Sequence, residues 1–136
     1  MKDLAVICDL DGTLCVSFDE PIESGCTVLR SLTGIQVHYV TARPEASRRA
    51  TTEFLDRCRL PYRANVHFCP DSKRHNVAKL ARDFAVLVSI GDSDEDRDAA
   101  HAAGTRFVRI CRDDAAAGWA QAAARIREAV NSAPPC

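Results

Sequence analysis

Five short apolar runs rich in β-branched residues recur along the chain, at residues 4–8, 36–41, 65–68, 85–90 and 105–110. Longer segments with spaced apolar residues separate or follow them, at 21–32, 44–58, 72–84, 95–103 and 115–130. The stretch 44–58 shows the pattern best. Its Ala46, Ala50, Phe54 and Cys58 fall at every fourth position among arginines and acids, the spacing of an amphipathic helix. Pro44 suits the first turn of that helix, where a missing N–H costs nothing. The alanine-rich 115–130 is a strong helix former. Strand–helix alternation of this kind predicts an α/β fold, a three-layer doubly wound parallel sheet with helices on both faces. Ligands of such sheets bind beyond the carboxyl ends of the strands. With no internal repeat, linker or composition break, residues 1–136 are expected to form a single domain, and the tail 133–136 to be frayed.

Composition narrows the function classes. The chain is 46% hydrophobic, which excludes low-complexity disorder. Its net charge of −1 argues against a bulk electrostatic binder of nucleic acid or membrane. No apolar run approaches the roughly 20 residues a membrane span needs, and Met1-Lys2-Asp3-Leu4 is not a secretory signal. The seven cysteines (8, 15, 26, 58, 69, 111 and 136) contain no Cys-x-x-Cys pair. Several lie in apolar runs, Cys8 and Cys111 among them, so they read as small buried hydrophobes in a reducing cytoplasm.

Reactive groups collect at three strand ends. The first run ends in Cys8-Asp9-Leu10-Asp11-Gly12-Thr13-Leu14, the second in Val40-Thr41-Ala42-Arg43, the fourth in Ile90-Gly91-Asp92-Ser93-Asp94-Glu95-Asp96. The strand-end rule brings all three to one rim. Asp9 and Asp11, two apart, can project the same way, and two packed carboxylates stay ionised only beside a cation. Gly12 permits the sharp turn that follows. An EF-hand reading of the acidic run from Asp92 fails, because position 6 is Arg97 and position 12 is Ala103. Asp94 and Glu95 read as decoration of a helix N-terminus, whereas Asp92 is placed to meet Asp9.

Asp9-Leu10-Asp11-Gly12-Thr13-Leu14, then Val40-Thr41, a lysine, and Gly91-Asp92-Ser93-x-x-Asp96 with Ala99-Ala100 and Ala103-Gly104 beyond it, together resemble the haloacid dehalogenase-like (HAD) superfamily. The resemblance runs from Ile7 to about Ile110. It implies a Mg²⁺-dependent phosphatase acting through an aspartyl-phosphate. Asp9 would be the nucleophile and Asp11 the general acid/base. Thr41, Ala42, Arg43 and a lysine would bind the phosphorylated substrate. Asp9, the backbone carbonyl of Asp11, and Asp92 would hold Mg²⁺, with Asp96 in support. The dehalogenases and ion-pumping ATPases of the superfamily lack an aspartate at the second position, so Asp11 favours phosphate chemistry. The chain has three lysines. Lys2 precedes the first strand, Lys79 lies well along a helix on a solvated face, and Lys73, just after the third strand, is the choice for the phosphate-binding role.

Spacing bears on the substrate. From Asp11 to Thr41 a helix and a strand leave on the order of ten residues, enough for a flap but not a cap domain. From Thr41 to Lys73 there is again no room. An uncapped site suits a large substrate, or a second subunit of a homo-oligomer serving as lid. Between residues 43 and 63 lie six arginines against three acids. The run Thr41-Ala42-Arg43-Pro44-Glu45 with Arg48, Thr51, Phe54 and Leu55 is similar to polynucleotide kinase/phosphatase 3′-phosphatase domains, which implies that Arg43 holds a substrate phosphate. The plainer reading is a charged helix face with pairs such as Glu45–Arg49 and Glu53–Arg57. His38, His67, His75 and His101 share no ligand spacing and read as structural or exposed, and Trp119 as a residue packing against the sheet. Three functions stand: a phosphomonoesterase, a nucleic-acid 3′-end phosphatase, and a non-catalytic binding module on the same fold.

Overall fold

A computed structural model of the protein describes residues 1–132; the tail 133–136, with Cys136, lies outside the described residues. In chain order the elements are β1 (Leu4–Cys8), β2 (Cys15–Val16), β3 (Glu20–Pro21), α1 (Glu23–Ser31), β4 (Gln36–Thr41), α2 (Arg48–Arg57), β5 (Val66–Phe68), α3 (Arg74–Asp83), β6 (Ala85–Gly91), α4 (Asp94–Ala102), β7 (Phe107–Arg109) and α5 (Ala115–Ser132). Five strands form one parallel sheet in the order β5-β4-β1-β6-β7. The expected α/β architecture is present.

The side-chain alternation of β1 shows why the sheet is covered twice. Val6 and Cys8 join a large core with Leu29 of α1, Phe54 of α2 and Trp119 of α5, whereas Ile7 joins a smaller one with Val77 and Leu80 of α3 and Ala99 of α4. A strand buried on both faces is apolar at successive positions, as Leu4-Ala5-Val6-Ile7-Cys8 is. Helices α1, α2 and α5 therefore cover one face, and α3 and α4 the other. Register then sets the site. Cys8 is level with Tyr39 of β4 and Ile90 of β6, so Asp9, Thr41 and Asp92 all emerge at the same end of the central strands.

Three local expectations are corrected. Pro44 is extended (φ −74°, ψ 158°) and stands ahead of the helix; its carbonyl accepts from Ser47 N at 2.9 Å, closing a short 3₁₀ turn before α2 begins at Arg48. The last strand is shorter than 105–110, because the Thr105 amide and hydroxyl both bond the Ala100 carbonyl at the end of α4. Cys111 is exposed, unlike Cys8, Cys15, Cys26, Cys58 and Cys69, which are buried free thiols.

The segment between β1 and α1 folds as a small hairpin, β2 against β3, with Phe18 at its tip. Trp119 pins the base of this segment. Its indole N–H donates to the Thr13 carbonyl at 3.0 Å. Its ring fills the space that a Cβ on Gly25 of α1 would need, 2.5 Å away.

Candidate active site

Asp9 is 6% exposed and each of its carboxylate oxygens has a donor. Oδ1 accepts from Lys73 Nζ at 2.7 Å, and Oδ2 from the Thr13 hydroxyl at 3.2 Å. Lys73, buried where α3 begins, also donates to Asp96 Oδ1 at 2.6 Å. Asp96 is fixed in turn. Its Oδ2 accepts from the Asp92 amide (3.2 Å), the Ser93 amide (3.3 Å) and the Ser93 hydroxyl (2.9 Å), while Ser93 Oγ accepts from the Asp96 amide, a reciprocal capping box that starts α4. Gly91 is required here, since a Cβ would sit 2.5 Å from the Asp96 side chain. The Asp92 carboxylate lies against the turn after β1, where Gly12 adopts φ +80° and a Cβ would fall 2.0 Å from Asp92 Oδ2. Arg109 at the end of β7 holds the Asp92 carbonyl from behind at 3.0 Å.

The result is one ammonium among three carboxyls. Oxygens of Asp9, Asp92 and Asp96 lie within 4.8 Å of one another. Burial pushes the Asp9 carboxyl up to about 8, with Lys73 opposing and Asp96 reinforcing the shift. For Lys73, burial alone would lower the pKa, but the Asp9 and Asp96 carboxylates outweigh it and hold the group above the ordinary lysine value. Such a set is short of positive charge and consists only of hard oxygen donors, which suits a divalent cation such as Mg²⁺. Thr41 is fully buried at the end of β4, and its Oγ1 accepts from the Arg43 amide at 3.1 Å.

Asp11 behaves differently. Its carboxylate is outside that set, turned into the fork of Arg43, with Nε to Oδ2 at 3.0 Å and Nη2 to Oδ1 at 2.7 Å. Arg43 Nη2 also reaches Asp19 of the hairpin at 2.7 Å, and Nη1 the Thr51 hydroxyl at 3.0 Å. These hydrogen bonds from Arg43 hold the Asp11 carboxyl below its usual range, against the opposing effect of burial. Arg43 is thus occupied by protein partners, and Ala42 lies exposed between it and Thr41.

The structure therefore gathers Asp9, Lys73, Asp92 and Asp96, with Thr41 on the same rim, and directs the Asp11 carboxylate toward the hairpin. Lys79 pairs with Asp83 on the exposed face of α3, 2.9 Å away. The basic stretch is largely paired too, though not as expected: Arg48 binds Glu45, Arg49 binds Glu53 at 3.4 Å, and Arg63 binds Asp56 at 3.1 Å. Residue reading missed Thr13, Ser93, Asp19 and Arg109. Ser93 was visible as a Ser-x-x-Asp cap; Asp19 and Arg109 carry no signal in the sequence. His38 and His67 meet across β4 and β5, ring nitrogens 3.1 Å apart, away from any acid cluster.

No family model matches this sequence, and no curated protein matches it. Solved structures do. The class C acid phosphatase from Bacillus anthracis aligns with 100% of this chain and 81% of its own, at TM-score 0.59 and 14% identity, and its tungstate-bound form aligns equally well. A candidate 3-deoxy-D-manno-octulosonate 8-phosphate phosphatase from Vibrio cholerae aligns with 99% of this chain and 89% of its own, at TM-score 0.56 and 14% identity. The fold is HAD-like. In the HAD-like frame, β1 is the central strand and its carboxyl end carries Asp9. Among the described residues no helix is long and apolar enough to cross a membrane.

Proposed function

We propose that the protein is a Mg²⁺-dependent phosphomonoesterase in which Asp9 is the phosphoryl acceptor. The observation that carries this reading is the placement of Asp9 at the end of β1, ion-paired to Lys73 at 2.7 Å and within 4.8 Å of the Asp92 and Asp96 carboxylates. Its similarity in fold to solved phosphatases supports it.

Each side chain has a task in that reaction. Lys73 has three N–H donors, of which Asp9 and Asp96 take two, leaving the third for a phosphoryl oxygen. The Thr41 hydroxyl accepts from Arg43 N and keeps its own proton to donate to a second oxygen. Asp9 attacks phosphorus through a carboxylate oxygen, forming the acyl–phosphate bond as the ester P–O bond breaks, which splits one hard displacement into two. The Arg43 fork keeps Asp11 ionised, which suits it to take the proton of the water that hydrolyses the acyl phosphate. To protonate the leaving oxygen first, the Asp11 carboxyl has to turn out of that fork. Mg²⁺ would be held by Asp9 and Asp92, with the Asp11 backbone carbonyl as a further donor and Asp96 in support, and would supply charge neutralisation and polarisation of a phosphoryl oxygen.

A nucleic-acid 3′ end is the second reading for the substrate. Arg57 and Arg59 of the basic stretch, with Arg30 of α1, line a cavity of about 400 Å³ beside the hairpin. The test is hydrolysis of p-nitrophenyl phosphate with and without Mg²⁺, by wild type and Asp9→Asn, followed by a panel of phosphorylated metabolites, nucleotides and 3′-phosphate oligonucleotides. Mg²⁺-dependent turnover lost in Asp9→Asn supports the proposal. Turnover surviving in Asp9→Asn refutes it, and no turnover of any panel member leaves the non-catalytic module.

A further inference from the structure

The hairpin spends backbone energy to hold one aromatic ring in solvent. Phe18 (φ 59°, ψ 33°) and Asp19 (φ 54°) are consecutive left-handed residues, neither of them glycine. Side chains with a Cβ resist that conformation, and it persists only where surrounding contacts enforce it. Here they do. The Asp19 carboxylate is bound by Arg43 at 2.7 Å and its carbonyl by Arg57 Nη2 at 3.2 Å. Yet the side chain so presented, Phe18, is fully exposed and contributes nothing to the core. Strain, a rigid anchor and an unused aromatic face coincide at the mouth of the candidate site.

Phe18, Asp11, Gly12 and Arg112 line one cavity of about 250 Å³. Arg112 belongs to the short 3₁₀ turn after β7, is exposed, and its side chain has no ion pair or hydrogen bond among the described residues. Asp11 is the group that exchanges a proton with the leaving oxygen or the attacking water. The cavity above it is therefore where the alcohol half of a phosphomonoester extends.

We infer that this cavity is the leaving-group subsite, in which Phe18 is a platform for a planar ring and Arg112 pairs with a negative charge on that ring. The inference rests on the phosphatase reading and deepens it. The substrate class is a phosphomonoester whose leaving group is aromatic or heteroaromatic and carries a further anionic group. A cavity of this size holds one ring system, and its open side lets a longer group continue into solvent. Because Arg43 and Arg57 fix the hairpin before substrate arrives, the platform is preorganised and little ordering entropy is lost on binding.

The test compares kcat/KM for butyl phosphate, phenyl phosphate and carboxyphenyl phosphate in wild type, Phe18→Ala, Phe18→Tyr and Arg112→Ala. Taking each variant as a ratio to wild type on the same substrate cancels the differing reactivities of the esters. Phe18→Ala is expected to lose about tenfold on both aryl phosphates, the scale of a ring stacked on an aromatic side chain, and nothing on butyl phosphate. Phe18→Tyr keeps wild-type values. Arg112→Ala is expected to lose about fivefold on carboxyphenyl phosphate alone, the upper range of an exposed ion pair. Equal losses on all three esters, or no loss on any, overturn the subsite while leaving the phosphatase reading intact. Failure of wild type on both aryl phosphates with turnover of another phosphomonoester of the panel overturns the subsite alone, and no turnover of any phosphomonoester overturns both.

Discussion

Lys73→Met removes the one ammonium from the acid cluster while keeping most of the side chain's volume. Lys73 and its two partners are almost fully enclosed, with side-chain exposures of 4% for Lys73 and 7% for Asp9 and Asp96. Removing one member of such a buried pair costs about 3–5 kcal/mol, because the remaining charge is left without compensation. Over 136 residues the unfolding entropy is about 0.3 kcal/mol per degree, so the melting temperature should fall by about 10–17 °C. The loss has a pH signature. Without the ammonium, the Asp9 carboxyl, already raised by burial, rises further above the unfolded carboxylate value, so the folded chain binds more protons than the unfolded one between those limits. Stability of the variant then falls as pH rises through that window and recovers as pH drops toward 4. Urea unfolding of both proteins at pH 4.5, 6 and 8, without divalent ions, reads this directly. A loss under about 1 kcal/mol at pH 8, the scale of an exposed pair, or a loss that does not change with pH, would refute the electrostatic reasoning.

Other perturbations follow from the same contacts. Gly12→Ala meets both a left-handed backbone and the Asp92 carboxylate, 2.0 Å from the new Cβ; it should cost about 1–3 kcal/mol of stability and weaken Mg²⁺ binding, seen by calorimetric titration. Trp119→Phe leaves the Thr13 carbonyl without its indole donor, and urea unfolding should show a loss of about 1–3 kcal/mol. The His38 imidazole is pushed down to about 4 by burial and then by His67. The unfolded chain therefore binds the extra proton first, and stability is lost as pH falls from about 6.5 toward 4. His38→Gln should flatten that slope in unfolding measured across the range.

How far the sequence alone could reach is clearest at individual residues. Asp9, Thr41 and Asp92 were readable because each ends an apolar strand, and parallel strands in register deliver their ends to one edge. Lys73 was readable by elimination among three lysines, since only it follows a strand end. The Asp11 carboxylate was not. Whether it faces Asp9 and Asp92 or Arg43 depends on the hairpin, whose two left-handed residues are Phe and Asp rather than the glycine or asparagine that would announce such a turn. The partners of Arg43 were hidden for the same reason: nothing local in the sequence places Asp19 against its guanidinium. The Trp119–Thr13 bond joins residues 106 positions apart, and no local pattern encodes it. Pro44 fits a first helical turn by propensity, yet its carbonyl is needed to close the 3₁₀ turn ahead of α2.

The proposed reaction requires that Asp9 itself become phosphorylated. Acid-quenching the protein in the presence of p-nitrophenyl phosphate and Mg²⁺, then digesting it and sequencing the peptides by mass spectrometry, tests this. The expected result is a phosphoryl group on Asp9 during turnover that disappears once substrate is exhausted. A phosphoryl group on a different residue, or robust turnover with none on any peptide, contradicts it.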